Sequence, residues 1–268
     1  MKTPSRRTSP TGRRTTTVLT AAGTALAITV LAVPNAHAAD SDITFSSVVW
    51  NNGRPIVVGT GADVRAPLTY KVKTDVKLDG FWVDAYRGTW SQNEDRMEPA
   101  VEQYCPQSST GGYTYYNCSD TVILNAAHLA NSDAGTWNTY GTAVKAGGGW
   151  DDDLLSTTVG FRRASLITSA DASPEPVTKG QAITVTGTLK RANWDTHRYD
   201  PYGGQKATLQ FKAAGTTTYT NIRTVTTSLT GLVKTSVTAT KDGTWRWYYA
   251  GNVVTGAKAT GGDYVDVR

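Results

Sequence analysis

Histidine, cysteine and methionine are scarce in this chain, at 3, 2 and 2 of 268 residues. That scarcity removes most familiar catalytic and metal-binding arrangements. His37 falls in the leader described below, which leaves His128 and His197. Neither has a partner at the spacing of a zinc site, where two histidines share one helical face. A Gly-x-Ser-x-Gly nucleophile elbow and a phosphate-cradling glycine loop are also missing. Glycoside hydrolysis needs only two carboxylates from distant positions, so spacing cannot test it. The acids here read better as loop and surface groups, which leaves a carbohydrate-active enzyme as the weakest alternative. Helical stripes with caps are lacking as well. Glu94, Glu98 and Glu102 stand four apart, but Pro99 lies among them, so residues 93–104 are expected to form a loop with one helical turn.

Long apolar runs are also few. The longest, from Val18 to Val33, is short of the about 20 residues of a membrane span and is diluted by Thr20, Gly23, Thr24 and Thr29. It follows Lys2, Arg6, Arg7, Arg13 and Arg14 and precedes Pro34 and Ala36-His37-Ala38. Basic, apolar and small-residue segments in that order define a secretory signal over 1–38, with cleavage expected after Ala38. The two arginine pairs also raise twin-arginine export, but Thr15-Thr16-Thr17 follows Arg13-Arg14 where an apolar residue is usual, which favours general secretion. A secreted protein without a membrane anchor after signal cleavage is expected, since no lipidation cysteine, sortase-type motif or second hydrophobic segment is present.

Processing also removes the charge surplus. The chain has 27 basic and 22 acidic residues, and the five extra positives all lie in the leader. Nucleic acid needs a dense field of Lys and Arg to displace counterions, so no nucleic-acid partner is expected.

What the mature chain does contain is alternation. Val64, Ala66, Leu68, Tyr70 and Val72 interleave with Arg65, Pro67, Thr69, Lys71 and Lys73, the period of a half-buried strand. Phe81, Val83 and Ala85 repeat it, as do Ile183, Val185, Gly187 and Leu189, then Trp245, Trp247 and Tyr249. Turn clusters such as Asn51-Asn52-Gly53, Tyr202-Gly203-Gly204 and Lys241-Asp242-Gly243 separate the runs. Landmarks recur in order. Asp133-Ala134-Gly135-Thr136-Trp137 returns as Asp242-Gly243-Thr244-Trp245, and the Pro55–Val64 stretch has an echo in Pro176–Val185. Each pair brackets a unit of domain size. Two all-β sandwiches are expected, over 39–163 and 164–268, with net charges of −5 and +5. Those opposite charges admit docking between the domains or head-to-tail association.

Thr121-Val122-Ile123-Leu124, Leu129 and Asp133–Trp137 together resemble the E–F corner of an immunoglobulin-like domain. Trp137 stands where that family usually has Tyr, and no strand-F cysteine is present, so neither the inter-sheet disulfide nor the tyrosine corner carries over. Val185–Leu189 and Gly243–Trp247 resemble an immunoglobulin-like module recurrent in secreted actinobacterial proteins. The resemblance implies two tandem immunoglobulin-like β-sandwich domains. It implies little about function, because this sandwich hosts many activities.

Candidate sites come from local chemistry. In an exported chain, Cys105 and Cys118 are expected to form a disulfide stapling an insertion. The stapled loop would present Tyr113 and Tyr115 to a ligand. Trp194, Tyr199 and Tyr202, with Asp195, His197, Arg198 and Asp200, have the aromatic and hydrogen-bonding mix that sugars need, although Trp194 could equally pack in a core or at a sandwich edge. Trp82 and Tyr86 lie on the face opposite Phe81 and Val83 and would be partly exposed. Asp151, Asp152 and Asp153 beside Gly147–Gly149 offer part of a calcium site, though consecutive carboxylates point in different directions. The expected function is a secreted, non-catalytic binding module for an extracellular glycan, cell wall or protein. A calcium-binding structural protein of the cell envelope is the alternative.

Overall fold

A computed structural model describes residues 43–90, 95–168 and 170–268. The leader lies outside the described residues. The chain is all-β, and among the described residues no helix is long and apolar enough to cross a membrane.

Among the described residues, twenty strands form four sheets that face each other in pairs. The first sandwich has one sheet ordered β1 (Thr44–Trp50), β3 (Val64–Thr74), β8 (Tyr113–Leu124) and β6 (Ala100–Glu102), with β7 (Gln107–Thr110) also on β8. Facing it are β2 (Ile56–Val58), β10 (Trp150–Arg163), β9 (Gly135–Lys145), β4 (Leu78–Arg87) and β5 (Asp95–Met97). All pairs are antiparallel except β2 with β10. In the lettering of the immunoglobulin fold, β1, β3, β8 and β6 are A, B, E and D, and β4, β9 and β10 are C, F and G. The alternation in β3 does what its period dictates. Ala66, Leu68, Tyr70 and Val72 are buried, while the residues between them face solvent. Trp50, Tyr70, Trp137 and Phe161 fill the space between the sheets. Gly141 is needed there, because a Cβ would lie 2.5 Å from the Phe45 ring.

The second sandwich repeats the plan. β13 (Ala182–Asn193) pairs with β11 (Ser165–Ile167), β12 (Asp171–Ser173), β14 (Arg198–Pro201) and β17 (Leu232–Thr238). Opposite lie β16 (Thr220–Thr226), β15 (Lys206–Ala213), β18 (Gly243–Tyr249), β19 (Lys258–Ala259) and β20 (Asp263–Val265). Ile183, Val185, Leu189, Leu209, Val233 and Trp247 are fully buried between these sheets.

Two local expectations need correction. The stretch around Pro99 is not a helical turn. Its described part forms β5 and β6, which pass from one sheet to the other. Pro99 has no N–H to donate, so it sits where the chain changes sheets. The E–F corner is present in substance with another side chain. Trp137 Nε1 donates to the Asp133 carbonyl at 2.8 Å, the return bond that a tyrosine hydroxyl makes in the usual motif. Arg87 stacks over the Trp137 ring, with its guanidinium carbon 4.0 Å from the centroid, and donates to Asp95 and the Ser132 carbonyl.

Candidate functional site

The stapled hairpin is built as its residues suggest. Cys105 and Cys118 are bonded, and β7 pairs with the start of β8 inside the closed loop. Tyr113 and Tyr115 share the outer face of β8, with centroids 6.5 Å apart and the Lys73 ammonium 3.8 Å from the Tyr113 ring centre. Behind the staple, the Asp120 carboxylate accepts from Tyr70 Oη at 2.9 Å and from the Tyr104 amide at 2.9 Å. Burial raises the Asp120 pKa above the ordinary carboxylate value, against the lowering effect of those two bonds.

The Trp194 cluster is not a ligand platform. Trp194 is 0% exposed and belongs to the first sandwich's core, although it directly follows β13 of the second. Its Nε1 donates to the Val58 carbonyl at 3.1 Å, and its amide donates to Asn131 Oδ1 at 2.9 Å. Tyr199 packs half-buried against the same core, and burial raises its hydroxyl pKa. Tyr202 holds a different seam. Its hydroxyl accepts from Asn252 and Thr255, its ring meets Tyr249 edge-on, and Arg191 lies over it at 4.2 Å. The reason is topological: the turn between β13 and β14 folds back onto the end of β2 and the β8–β9 connection. Trp194 and Tyr199 thereby join the two sandwiches, whereas the partners of Tyr202 all lie in the second.

The three aspartates do not converge either. They occupy successive positions on β10, so Asp152 points to the face opposite Asp151 and Asp153. Asp151 lies 3.7 Å from Lys145 Nζ, Asp152 accepts from Thr142 Oγ1 at 2.6 Å, and Asp153 accepts from the Phe45 amide at 3.2 Å. Each carboxylate has its own partner, and strand alternation separates them. The expected triad of calcium ligands is corrected accordingly.

A different set of residues does converge, on the outer face of the β10–β9–β4 sheet. The register places Gly80, Val144 and Trp150 in one row, Trp82, Thr142 and Asp152 in the next, and Asp84, Tyr140 and Leu154 in a third. Trp150 is 67% exposed and meets the half-buried Trp82 edge-on at 5.6 Å. Asp152 and Thr142 share the row of Trp82, between the rows of Trp150 and Tyr140. Tyr140 itself is buried beneath Trp90 and Arg96, and burial raises its hydroxyl pKa. Period-two reading had singled out Trp82. Trp150 escaped notice because it follows three glycines, where no alternation exists to assign it a face.

The second sandwich has an open groove of about 410 Å³ lined by Phe211, Ile222, Val237 and Trp245, with Arg223 and Lys241 at its rim. Its lining contains no histidine or carboxylate for acid–base chemistry.

The two pairs of sheets, with this strand order, are tandem immunoglobulin-like β-sandwiches. No protein-family model and no curated protein sequence matches the chain. Similar solved structures include the D00-D0 domain of intimin, at 15% identity and TM-score 0.27, covering 83% of this chain and 98% of that one. Dimeric latent PorU from Porphyromonas gingivalis is 12% identical with TM-score 0.28, over 88% of this chain and 21% of its own. A segment of titin is 10% identical with TM-score 0.25, over 85% of this chain and 66% of its own. The fold rests on the strand pairing above, and none of the three lends a ligand or an activity.

Proposed function

We propose that the chain is an extracellular, non-catalytic binding module that takes a glycan on the outer face of the β10–β9–β4 sheet. The exposed Trp150 indole, braced by Trp82 and flanked by the Asp152–Thr142 pair, carries this reading. A sugar presents flat C–H patches ringed by hydroxyls. An indole face takes the patch, and the Asp152 carboxylate, held in place by the buried Thr142 hydroxyl, takes the polar rim. Tryptophan combines a large apolar face with an N–H donor, which is why it is enriched at interaction surfaces, and Trp82 beside Trp150 enlarges that face. Export is supported by the order of the leader segments and by the cystine.

The test is co-sedimentation of Ala39–Arg268 with insoluble polysaccharides and cell-wall preparations. The native protein is expected in the pellet, and Trp150→Ala in the supernatant with an unchanged melting temperature. Equal retention of the two proteins, or no retention of either, rejects the reading. A protein competitor that elutes the native chain would point to a protein ligand on the same face.

A further inference from the structure

The corresponding outer face of the second sandwich has a different chemistry. Register places Lys206, Thr208, Gln210 and Lys212 of β15 on the outside, beside Thr244, Arg246 and Tyr248 of β18 and Asn221, Thr224 and Thr226 of β16. Tyr264 of β20 continues the Thr244 row and is 52% exposed. Three cations therefore share the face, and none of the residues that register places on it is a carboxylate.

Two of these cations are held in place. Arg246 Nε donates to Gln210 Oε1 at 2.8 Å, and Gln210 in turn donates to Asn221 at 2.8 Å. The guanidinium carbon sits 3.6 Å from the centre of the Tyr219 ring, and Lys212 Nζ lies 5.3 Å from the same ring. Such a stack leaves the outer guanidinium N–H groups free to pair with an anion at little further entropic cost. Along β15, Lys206 lies six residues from Lys212, roughly 20 Å at strand spacing. A compact anion cannot bridge that span, whereas an extended chain of charges can. The +5 net charge of this half of the chain favours the same partner. Tyr248 and Tyr264 add ring faces, and the Thr208–Thr224 hydroxyl pair adds polar groups, between and beside the cations.

We infer that this face binds an extended anionic polysaccharide, whose acid groups meet Lys206, Lys212 and Arg246 while its sugar rings lie against the tyrosines. The site is separate from the Trp150 face and does not depend on it.

Affinity electrophoresis of Ala39–Arg268 through gels containing alginate, a soluble polyuronate, tests the inference. Dextran is the neutral control and polyphosphate the control for charge alone. Alginate should retard the native protein and Trp150→Ala alike, and retardation should fall as salt rises. Arg246→Glu with Lys212→Glu should weaken binding at least about tenfold, the loss expected when hydrogen bonds to charged groups are removed. Arg246→Gln, a milder change, should weaken it less and keeps the test valid if the double variant misfolds. No retardation by alginate, retardation unchanged in both the Arg246 variants, or equal retardation by polyphosphate would overturn the inference. Loss of binding in Trp150→Ala alone would assign the polymer to the first sandwich and overturn it as well.

Discussion

At Asp120 three effects compete, and burial wins. The carboxylate is 3% exposed, and desolvation raises its pKa more than the bonds from Tyr104 and Tyr70 lower it. A folded pKa above the unfolded one means that the folded state holds its proton more tightly. The group therefore favours folding below the ordinary carboxylate value, and that contribution is lost as pH rises through the folded pKa. Asp120→Asn cannot titrate. Subtracting its stability–pH curve from the native one should leave a step that falls with rising pH, beginning near 3.8, as followed by urea unfolding at several pH values. A flat difference curve would show that the carboxylate is solvated as in the unfolded chain. Tyr70 belongs to the same network, and burial together with the Asp120 charge raises its phenol pKa, so it stays protonated and able to donate. The alternation of β3 revealed that Tyr70 faces inward. Its bond to Asp120 links residues 50 apart in sequence, and no local pattern announces such a partner.

At the scale of elements, the hairpin β7–β8 depends on its staple. All four residues of β7 are exposed, so burial contributes little to holding this strand in place. The Cys105–Cys118 bond closes a loop with a sequence separation of 13, worth about 3 kcal/mol in the chain-entropy model. Replacing both cysteines by Ser should lower unfolding free energy by about that amount and should raise hydrogen exchange first over residues 107–117. Unchanged exchange there would mean that the β7–β8 ladder holds without the bond. This element was legible because the chain has only two cysteines, which have few alternatives if it is exported as its leader suggests, and Tyr113 and Tyr115 follow strand alternation onto the outer face. The strands β5 and β6 were not legible. Each has three residues, too short to show a period, and Pro99 between them imitates a helix breaker. Asp151–Asp153 erred the other way. Their composition suggested one site, while their strand conformation, visible only once paired with β9, turns Asp152 away from the other two.

At the scale of the whole molecule, the two sandwiches are joined through a shared core rather than a tether. Ala164 donates to the Val58 carbonyl at 2.8 Å, and Arg163 exchanges backbone bonds with Val254 and Gly256. The Arg163 guanidinium, buried at the seam, donates to the Ala192 carbonyl, and desolvation lowers its pKa to about 10, which still leaves it charged at neutral pH. Asn131 of the first sandwich bonds Asn193, Trp194 and Asp195 of the second. Trp194 itself completes the first core, one of the two placements its sequence leaves open, and local pattern could not choose between them for a physical reason. The groups that bury it, Val58 and Asn131, are more than 60 residues away. Trp194→Ala should therefore cost about 3–5 kcal/mol, the range for removing a buried tryptophan, and the loss should fall on the first sandwich. Calorimetry should show one cooperative transition for native Ala39–Arg268 and two for the variant, with the first sandwich melting earlier. Two transitions already present in the native protein would mean that the seam is too weak to couple the sandwiches. A single transition gives the seam a consequence for binding. The Trp150 face and the Arg246 face are then held at a fixed separation and orientation, so a polymer engaging both pays its ordering cost once, and the second contact forms at high effective concentration. Loosening the seam with Trp194→Ala should weaken retention on a surface carrying both ligands more than retention on either ligand alone.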